Sequence, residues 1–429
     1  MLSIYTEHTT NRLTYIATTL FGDDIVIVND LNTFNNNIGK KINYSTHENI
    51  TSDLWIKPVE LLFETTITTQ QINCFVWKNY KAFYKTDGDI PFDILAASFF
   101  LLSRYEEYYS NYKKDEYGNY HHENSLAWKE NFLNLPIINL WLKEVEKLFG
   151  IKPVENKFSI TPTYDIDIAF AYKHYPVYIQ LGGLIKDLIL QRGTFNERLQ
   201  VLLGYKKDPY IIFNWLNELH SKYQLLPIYF ILLAKQRSEF DKNPSATNES
   251  YIELIQSLNQ QSEIGIHPSY KSNCNTEKLK AEIENLQYIT NRQITKSRQH
   301  FLQLQFPLSY QNLIEQGIQE DYTLGYGTIN GFRCSYCFSF NWFNVAKDET
   351  THLVIHPFCY MDANAIFEQQ LNAEQAFNEM KYYFETVKSV NGNFIFIMHN
   401  HFLSDQKKWK DWRKIYSKFL QFISTSSSI

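Results

Sequence analysis

Several familiar signatures are missing from this 429-residue sequence. It has no G-x-S-x-G, so the strained serine elbow of the α/β hydrolases is not expected. It has no phosphate-cradling loop and no dinucleotide fingerprint, and Gly325-x-Gly327 alone falls short of either. No basic run stands out and the net charge is −5, which argues against a nucleic-acid partner or an anionic membrane. No uncharged apolar stretch approaches the ~20 residues needed to span a bilayer. The longest candidate, Ile94 to Ser103, is bounded by Asp93 and Arg104 and reads as a core helix. The first residues, Met1-Leu-Ser-Ile-Tyr-Thr-Glu-His, lack a basic n-region and an apolar h-region, so no secretory leader is expected. Cysteine is scarce: Cys74, Cys274, Cys334, Cys337 and Cys359 are odd in number, and the single C-x-x-C has no second pair. Buried free thiols are the expectation, and the combined reading is a cytoplasmic protein.

What is present is a folding chain rich in rings, with 44% hydrophobic and 16% aromatic residues. The length predicts two domains. The boundary falls in Gly150–Lys157, giving an N-terminal α/β domain (1–153) of unassigned role and a second domain (154–429). In the first, the strand-like Asp24–Val28 precedes a helix over Phe92–Tyr109, which ends in the polar cluster Ser103-Arg-Tyr-Glu-Glu-Tyr. A second helix is expected over Pro136–Leu148.

Beyond the boundary, strands and helices alternate, the rhythm of parallel strands with helical crossovers. Strands are expected at Phe158–Asp167, Leu226–Ala234, Ser262–His267, Ser297–Leu304, Leu353–Phe358 and Phe394–His399. Between them, Ala373, Ala376, Phe377, Met380, Phe384 and Val387 form one helical stripe behind the N-cap Asn372, and Leu279, Ile283 and Leu286 form another. Such a series predicts an α/β fold closed into a (β/α) barrel. Residues 171–207 fit no strand–helix unit and read as a helical insertion.

The polar residues sit where a parallel barrel builds active sites, at the C-terminal strand ends. Asp165 and Asp167 end the first strand, His267 another, Arg298 and His300 lie in a fourth, and His399 ends the last. A side-chain period of two puts Asp165 and Asp167 on one face, and likewise Arg298 and His300. Carboxylate plus imidazole is the ligand set of a hydrolytic zinc or similar divalent ion. Each residue alone has a bland reading. A strand-end aspartate caps turns, a lone histidine satisfies itself in a core, and an arginine pairs with any acid. Their joint placement is what points to a site. Asp321 and Asp362 stand at even odds between partners of the arginine and structural acids; His356 reads as a supporting residue and His401 as surface.

At this point the phrases resemble a known family. Thr163-Tyr-Asp-Ile-Asp167 is similar to the first motif of the polysaccharide deacetylases (carbohydrate esterase family 4), and Glu263-Ile-Gly-Ile-His267 to the start of their second. Arg298 falls where the third places an arginine, Asp321-Tyr322 resembles the fourth, and Ile395-Phe-Ile-Met-His399 the fifth. Phe92-Asp with Ser103–Tyr108, His267-Pro-Ser-Tyr, Arg298-Gln-His300, Gly331-Phe-Arg333 and His399-Asn400 resemble a Bacteroidetes-type subgroup with an extra N-terminal domain.

The resemblance implies a barrel of about seven irregular strands and a metal-dependent hydrolase removing acetyl groups from an N- or O-acetylated sugar or glycan precursor. It implies a divalent ion, Zn2+ with Co2+ or Ni2+ as substitutes, held by Asp167 and His267. It also implies Asp165 as general base steadied by Arg298, and His399 as proton donor. One departure matters: the histidine expected four residues after His267 is Lys271, a poor ligand while protonated. Either His300 completes the site or the metal site is lost, and the first is the expectation. The alternatives are a catalytically silent carbohydrate-binding or assembly protein on the same barrel, and a barrel metallohydrolase of cyclic amides or amidines.

Overall fold

The computed structural model describes residues 1–190, 193–273 and 275–426. Two sheets organise it. The first joins β1 (Leu2–Tyr5), β2 (Ile25–Val28), β3 (Lys40–Asn43) and β4 (Leu54–Trp55) in the order β2-β1-β3-β4, all parallel. A short hairpin of β5 (Phe75–Trp77) and β6 (Tyr80–Ala82) follows. The apolar run at Ile94–Leu102 is a helix with every residue buried, as its uniform apolarity requires. Its N-cap Asp93 accepts from Ala96 N, Val59 N and Tyr44 Oη, so one carboxylate starts the helix and ties it to the sheet. The expected longer helix stops here because Arg104 takes a left-handed φ of 55°.

The second sheet holds β7 (Ser159–Ile166), β8 (Ile228–Leu232), β9 (Glu263–His267), β10 (Lys296–Ser297), β11 (Glu320–Asp321), β12 (Phe340–Asn344), β13 (Glu349–Ile355), β14 (Tyr360–Met361) and β15 (Asn393–His399). Its order is β12-β13-β11-β10-β9-β8-β7-β15-β14, parallel except for the β12–β13 pair. Helices fill the crossovers; the one at Ala373–Ser389 begins at the expected Asn372, in a full capping box with Gln375.

The expected closed barrel is not closed by hydrogen bonds among the described residues, since β12 and β14 are free edges. The chain itself bridges the gap. β13 and β14 pair near opposite edges yet are separated only by residues 356–359, a reach of less than ~20 Å. Pro357 removes a backbone donor there, and Phe358 is buried in the interior instead. The sheet therefore curls around its own small core of Ile228, Phe230, Leu302, Tyr322, Phe358, Met361, Ile395 and Ile397. Alternate residues of the same strands, such as Tyr164, Ile166, Tyr229, Ile231, Phe394 and Phe396, face the helices and join a larger core that runs unbroken into the N-terminal sheet.

The expected strand at Ser297–Leu304 is a second correction. Only Lys296–Ser297 pairs, and Phe301 and Leu302 take φ of 56° and 51°, which ends the strand in a tight turn. Cys334, Cys337 and Cys359 are buried free thiols and Cys74 is a half-buried one; Cys274 lies outside the described residues. Residues 177–189 and 195–202 of the expected insertion are helical.

Candidate functional site

The C-terminal ends of β7, β9 and β15 and the turn after β10 meet in a cavity of about 220 Å³ lined by Asp165, Asp167, His267, His300 and His399. Arg298 lies beneath it, fully buried. Asp165 sits on β7 facing the curled interior, and Arg298 Nη1 donates to its Oδ1 at 2.9 Å and to Thr163 Oγ1 at 2.8 Å. Arg298 Nε donates to Tyr322 O at 3.0 Å, and its guanidinium lies 4.4 Å from the centre of the Phe230 ring. The guanidinium is thus clamped on three sides, and Asp165 is held in one orientation with its second oxygen toward the cavity.

Two imidazoles face Asp167. His267 Nδ1 is 2.6 Å from Arg298 O, a carbonyl that only accepts, so Nδ1 carries the proton and the Nε2 lone pair points away. His300 Nδ1 meets Asp241 Oδ1 at 3.0 Å, with the same consequence. His267 Nε2 lies 3.1 Å from Asp167 Oδ1, and His300 Nε2 lies 3.8 Å from Asp167 Oδ2. Asp167 Oδ1 is buried without a hydrogen bond. The three ligand atoms lie within 4.8 Å of one another. Two imidazole nitrogens aimed at a buried carboxylate oxygen that has no hydrogen bond form an arrangement that suits a cation.

The protein's own protons register the same demand. Burial alone would lower the His300 imidazolium, yet Asp167 and Asp241 outweigh it and raise it to about 9. Burial would raise the Asp167 carboxyl, but His300 and His267 hold it well below the ordinary range.

On β15, the strand beside β7, His399 is in register with Asp165; its Nδ1 meets Asp362 Oδ1 at 2.6 Å, while His399 N donates to the other oxygen at 2.7 Å. Its Nε2 faces the cavity, 3.6 Å from Asp167 Oδ2. Burial would lower this imidazolium, but Asp362 raises it to about 10. Asp362 is therefore the partner of His399, not of the arginine. Asp321 is not the arginine's partner either: it accepts from Ser297 Oγ, Thr323 N and Thr323 Oγ1 and pins two strands together.

All six expected site residues converge, although His300 arrives from a turn and not from strand alternation. Lys271 is exposed and lines a different cavity. His356 lines a different cavity, where it lies 3.0 Å from Glu320 and stacks on Tyr322. His401, expected on the surface, lines the cavity beside Phe402.

Two contributions had no signal in the sequence pattern. Asp241 comes from a loop without periodicity. Tyr117 belongs to the N-terminal region and reaches the cavity wall, its ring 4.3 Å from Phe301. It sits on a tight turn in which Asp115 Oδ1 accepts from Tyr117 N and Asn119 N, with Gly118 at φ 90°. Asn119 Nδ2 donates to Phe301 O at 3.0 Å and fixes the turn to the mouth.

Residues 2–151 match a family model described as a family of unknown function, DUF7033. No curated protein matches the chain. Among solved structures, the chain is similar to a putative polysaccharide deacetylase from Mycobacterium smegmatis at 12% identity and TM-score 0.40, over 63% of this chain and 86% of that one. It is similar to a probable polysaccharide deacetylase from Pseudomonas aeruginosa PAO1 at 10% identity and TM-score 0.38, over 62% and 85%. A mutant of a carbohydrate esterase family 4 pseudoenzyme with restored enzymatic activity matches at 8% identity and TM-score 0.28, over 62% and 64%.

Proposed function

We propose that the chain is a metal-dependent hydrolase that removes an acetyl group from an acetylated sugar. The observation that carries the reading is the Asp167/His267/His300 cluster, with a buried carboxylate oxygen that has no hydrogen bond and two imidazoles whose Nδ1 atoms are already engaged. This donor set suits Zn2+, with Co2+ or Ni2+ as substitutes. When bound, the ion supplies Lewis acidity to the acyl carbonyl and lowers the pKa of an attacking water. Asp165, on the same wall, takes the proton of that water as general base. Arg298 holds it aimed, and the phenyl face of Phe230 covers the guanidinium of the pair. His399 stands on the neighbouring strand, kept protonated by Asp362, and gives its Nε2 proton to the leaving amine or alcohol.

The cavity is below the ~300–1,000 Å³ of drug-sized sites, and so admits a single ring with its acetyl group. Tyr117, Phe301, Phe367 and Phe402 give it flat apolar walls. No lysine or arginine is among its described lining residues, and the lining includes Glu368, whose carboxyl is raised by burial and then by Glu116 and Asp115. That polarity suits an uncharged or amine-bearing sugar and disfavours a phosphate inside the cavity. The closeness of the motifs to the deacetylase family supports the same class, with the N-terminal region as an additional domain of that subgroup.

The test is bound metal by elemental analysis after dialysis against trace zinc, followed by acetate release from a panel of acetylated sugars. Near-stoichiometric metal with acetate release is expected. Protein that binds no metal, or that binds metal and releases no acetate from any sugar of the panel, overturns the reading.

A further inference from the structure

The helical insertion between β7 and β8 is built inside out. In the helix Val177–Ile189 the one buried residue is charged: Asp187 lies 2% exposed and pairs with Arg198 Nε at 2.6 Å. The opposite face is apolar and open to solvent. At 100° per residue Val177, Leu188, Leu181, Ile185, Tyr178 and Ile189 fall in one stripe about 120° wide. Val177 is 69% exposed, Tyr178 74% and Ile189 70%. Leu199, Leu203 and Tyr205 are exposed as well, so nearly half of the large apolar side chains left exposed by the described residues lie between Val177 and Tyr205.

Charge says what covers it. Between residues 171 and 211 the sequence places Lys173, Lys186, Arg192, Arg198, Lys206 and Lys207 against only Asp187, Glu197 and Asp208. The three acids are used internally. Asp187 holds Arg198, Glu197 holds Lys206 at 3.1 Å, and Asp208 accepts from the backbone N–H groups of Ala171 and Tyr172. Among the described residues no ion pair holds Lys173, Lys186 or Lys207. A basic apolar surface on a chain of net charge −5 is a local exception that the overall balance conceals.

We propose that the helix Val177–Ile189 docks on an anionic phospholipid bilayer together with residues 193–207, with the apolar stripe in the headgroup–acyl boundary and the free lysines against lipid phosphates. No described helix is long and apolar enough to cross a membrane, and this mode needs none. The insertion leaves from the strand end that carries Asp165. It is tied to the loop after His399, where Asn400 Nδ2 donates to Ile168 O and Tyr210 O and Gln406 Nε2 donates to Glu197 Oε1. The docking surface and the cavity therefore share one end of the molecule. The inference stands on the insertion alone and does not depend on the chemistry of the site.

The experiment is flotation of the full chain with vesicles of phosphatidylcholine alone or with one-quarter phosphatidylglycerol. The variants are Leu181→Glu/Leu188→Glu and Lys186→Gln/Lys207→Gln, with circular dichroism and light scattering on each. Wild type is expected to float with the anionic vesicles and the leucine variant to lose at least ~10-fold in partitioning. The lysine variant is expected to lose about fivefold per residue. Wild type left in the soluble fraction overturns the proposal, as does a folded leucine variant that floats unchanged. A wild-type dimer that the leucine variant returns to monomer also overturns it, because the surface then belongs to a second copy.

Discussion

Asp241 and Asp362 do the same physical work behind two histidines of the cavity, each fixing one by its Nδ1 atom. Their consequences should separate cleanly. His300→Ala removes a proposed ligand, and metal content after dialysis is expected to fall from near-stoichiometric to trace. Asp241→Asn leaves the imidazole in place but loosens its orientation and basicity, so the affinity for zinc, measured by chelator competition, should fall by ~10–100-fold. Metal retained at wild-type affinity in both variants would place the ligands elsewhere. Asp362→Asn is different, because it touches His399, the proposed proton donor. Removing the carboxylate that holds His399 up to about 10 lets burial lower the imidazolium, so the donor loses its proton at lower pH. The alkaline limb of kcat should move to lower pH, with kcat at neutral pH down ~10²–10⁴-fold and zinc content unchanged. A variant with an unmoved alkaline limb would remove His399 from the donor role.

At the scale of elements, the site depends on three kinds of segment, and they differ in how much the sequence discloses. Strands such as Phe394–His399 announce themselves, because a continuous apolar run ending in a histidine fits a buried parallel strand and little else. Arg298-Gln-His300 was misleading in detail: alternation placed both side chains on one strand face, whereas the chain turns at Phe301 and brings His300 in from above. Arg298 and His300 both reach the cavity region, but by a different geometry, since periodicity is blind to a positive φ. The turn at Asp115–Asn119 was not visible as part of the site at all, because the proximity of Tyr117 to Phe301 depends on tertiary packing across 184 positions of chain. Its contribution can be measured. Truncation of an aromatic wall typically costs more than ~1 kcal/mol of binding, so Tyr117→Ala should raise KM about 10-fold with kcat and zinc content near wild type. Tyr117→Phe should restore most of the loss. An unchanged KM in the alanine variant would reduce the turn to a structural clip.

At the scale of the whole molecule, the two sheets are joined by buried charge as well as by the continuous core. Arg104 Nε donates to Glu107 Oε1 at 2.7 Å, and Arg333 Nε donates to the same oxygen at 2.9 Å. Arg333 Nη2 closes the fork on Oε2 at 2.5 Å, and Arg104 Nη1 donates to Arg333 O across the junction. The polar cluster that ends the helix at Leu102 is thus an internal clamp and not a surface cap. The sequence showed the cluster, but its partner Arg333 lies 226 positions away and nothing local connects them. Burial would raise the Glu107 carboxyl, yet the two guanidinium groups outweigh it and hold it below its ordinary 4.5. The folded state therefore prefers the ionised form, and the stability this group adds is present above ~4.5 and lost as pH falls through the depressed value. Neighbouring Glu106 is shifted the other way by burial, so the substitution at 107 is the one that isolates the clamp. Glu107→Gln strands two buried guanidinium groups without their carboxylate, and breaking such a pair costs ~3–5 kcal/mol. The urea midpoint at pH 7 is expected to fall accordingly, and the variant should lose less stability than wild type between pH 6 and 4. If Glu107→Gln instead unfolds at the wild-type midpoint, the junction is held by apolar contact alone.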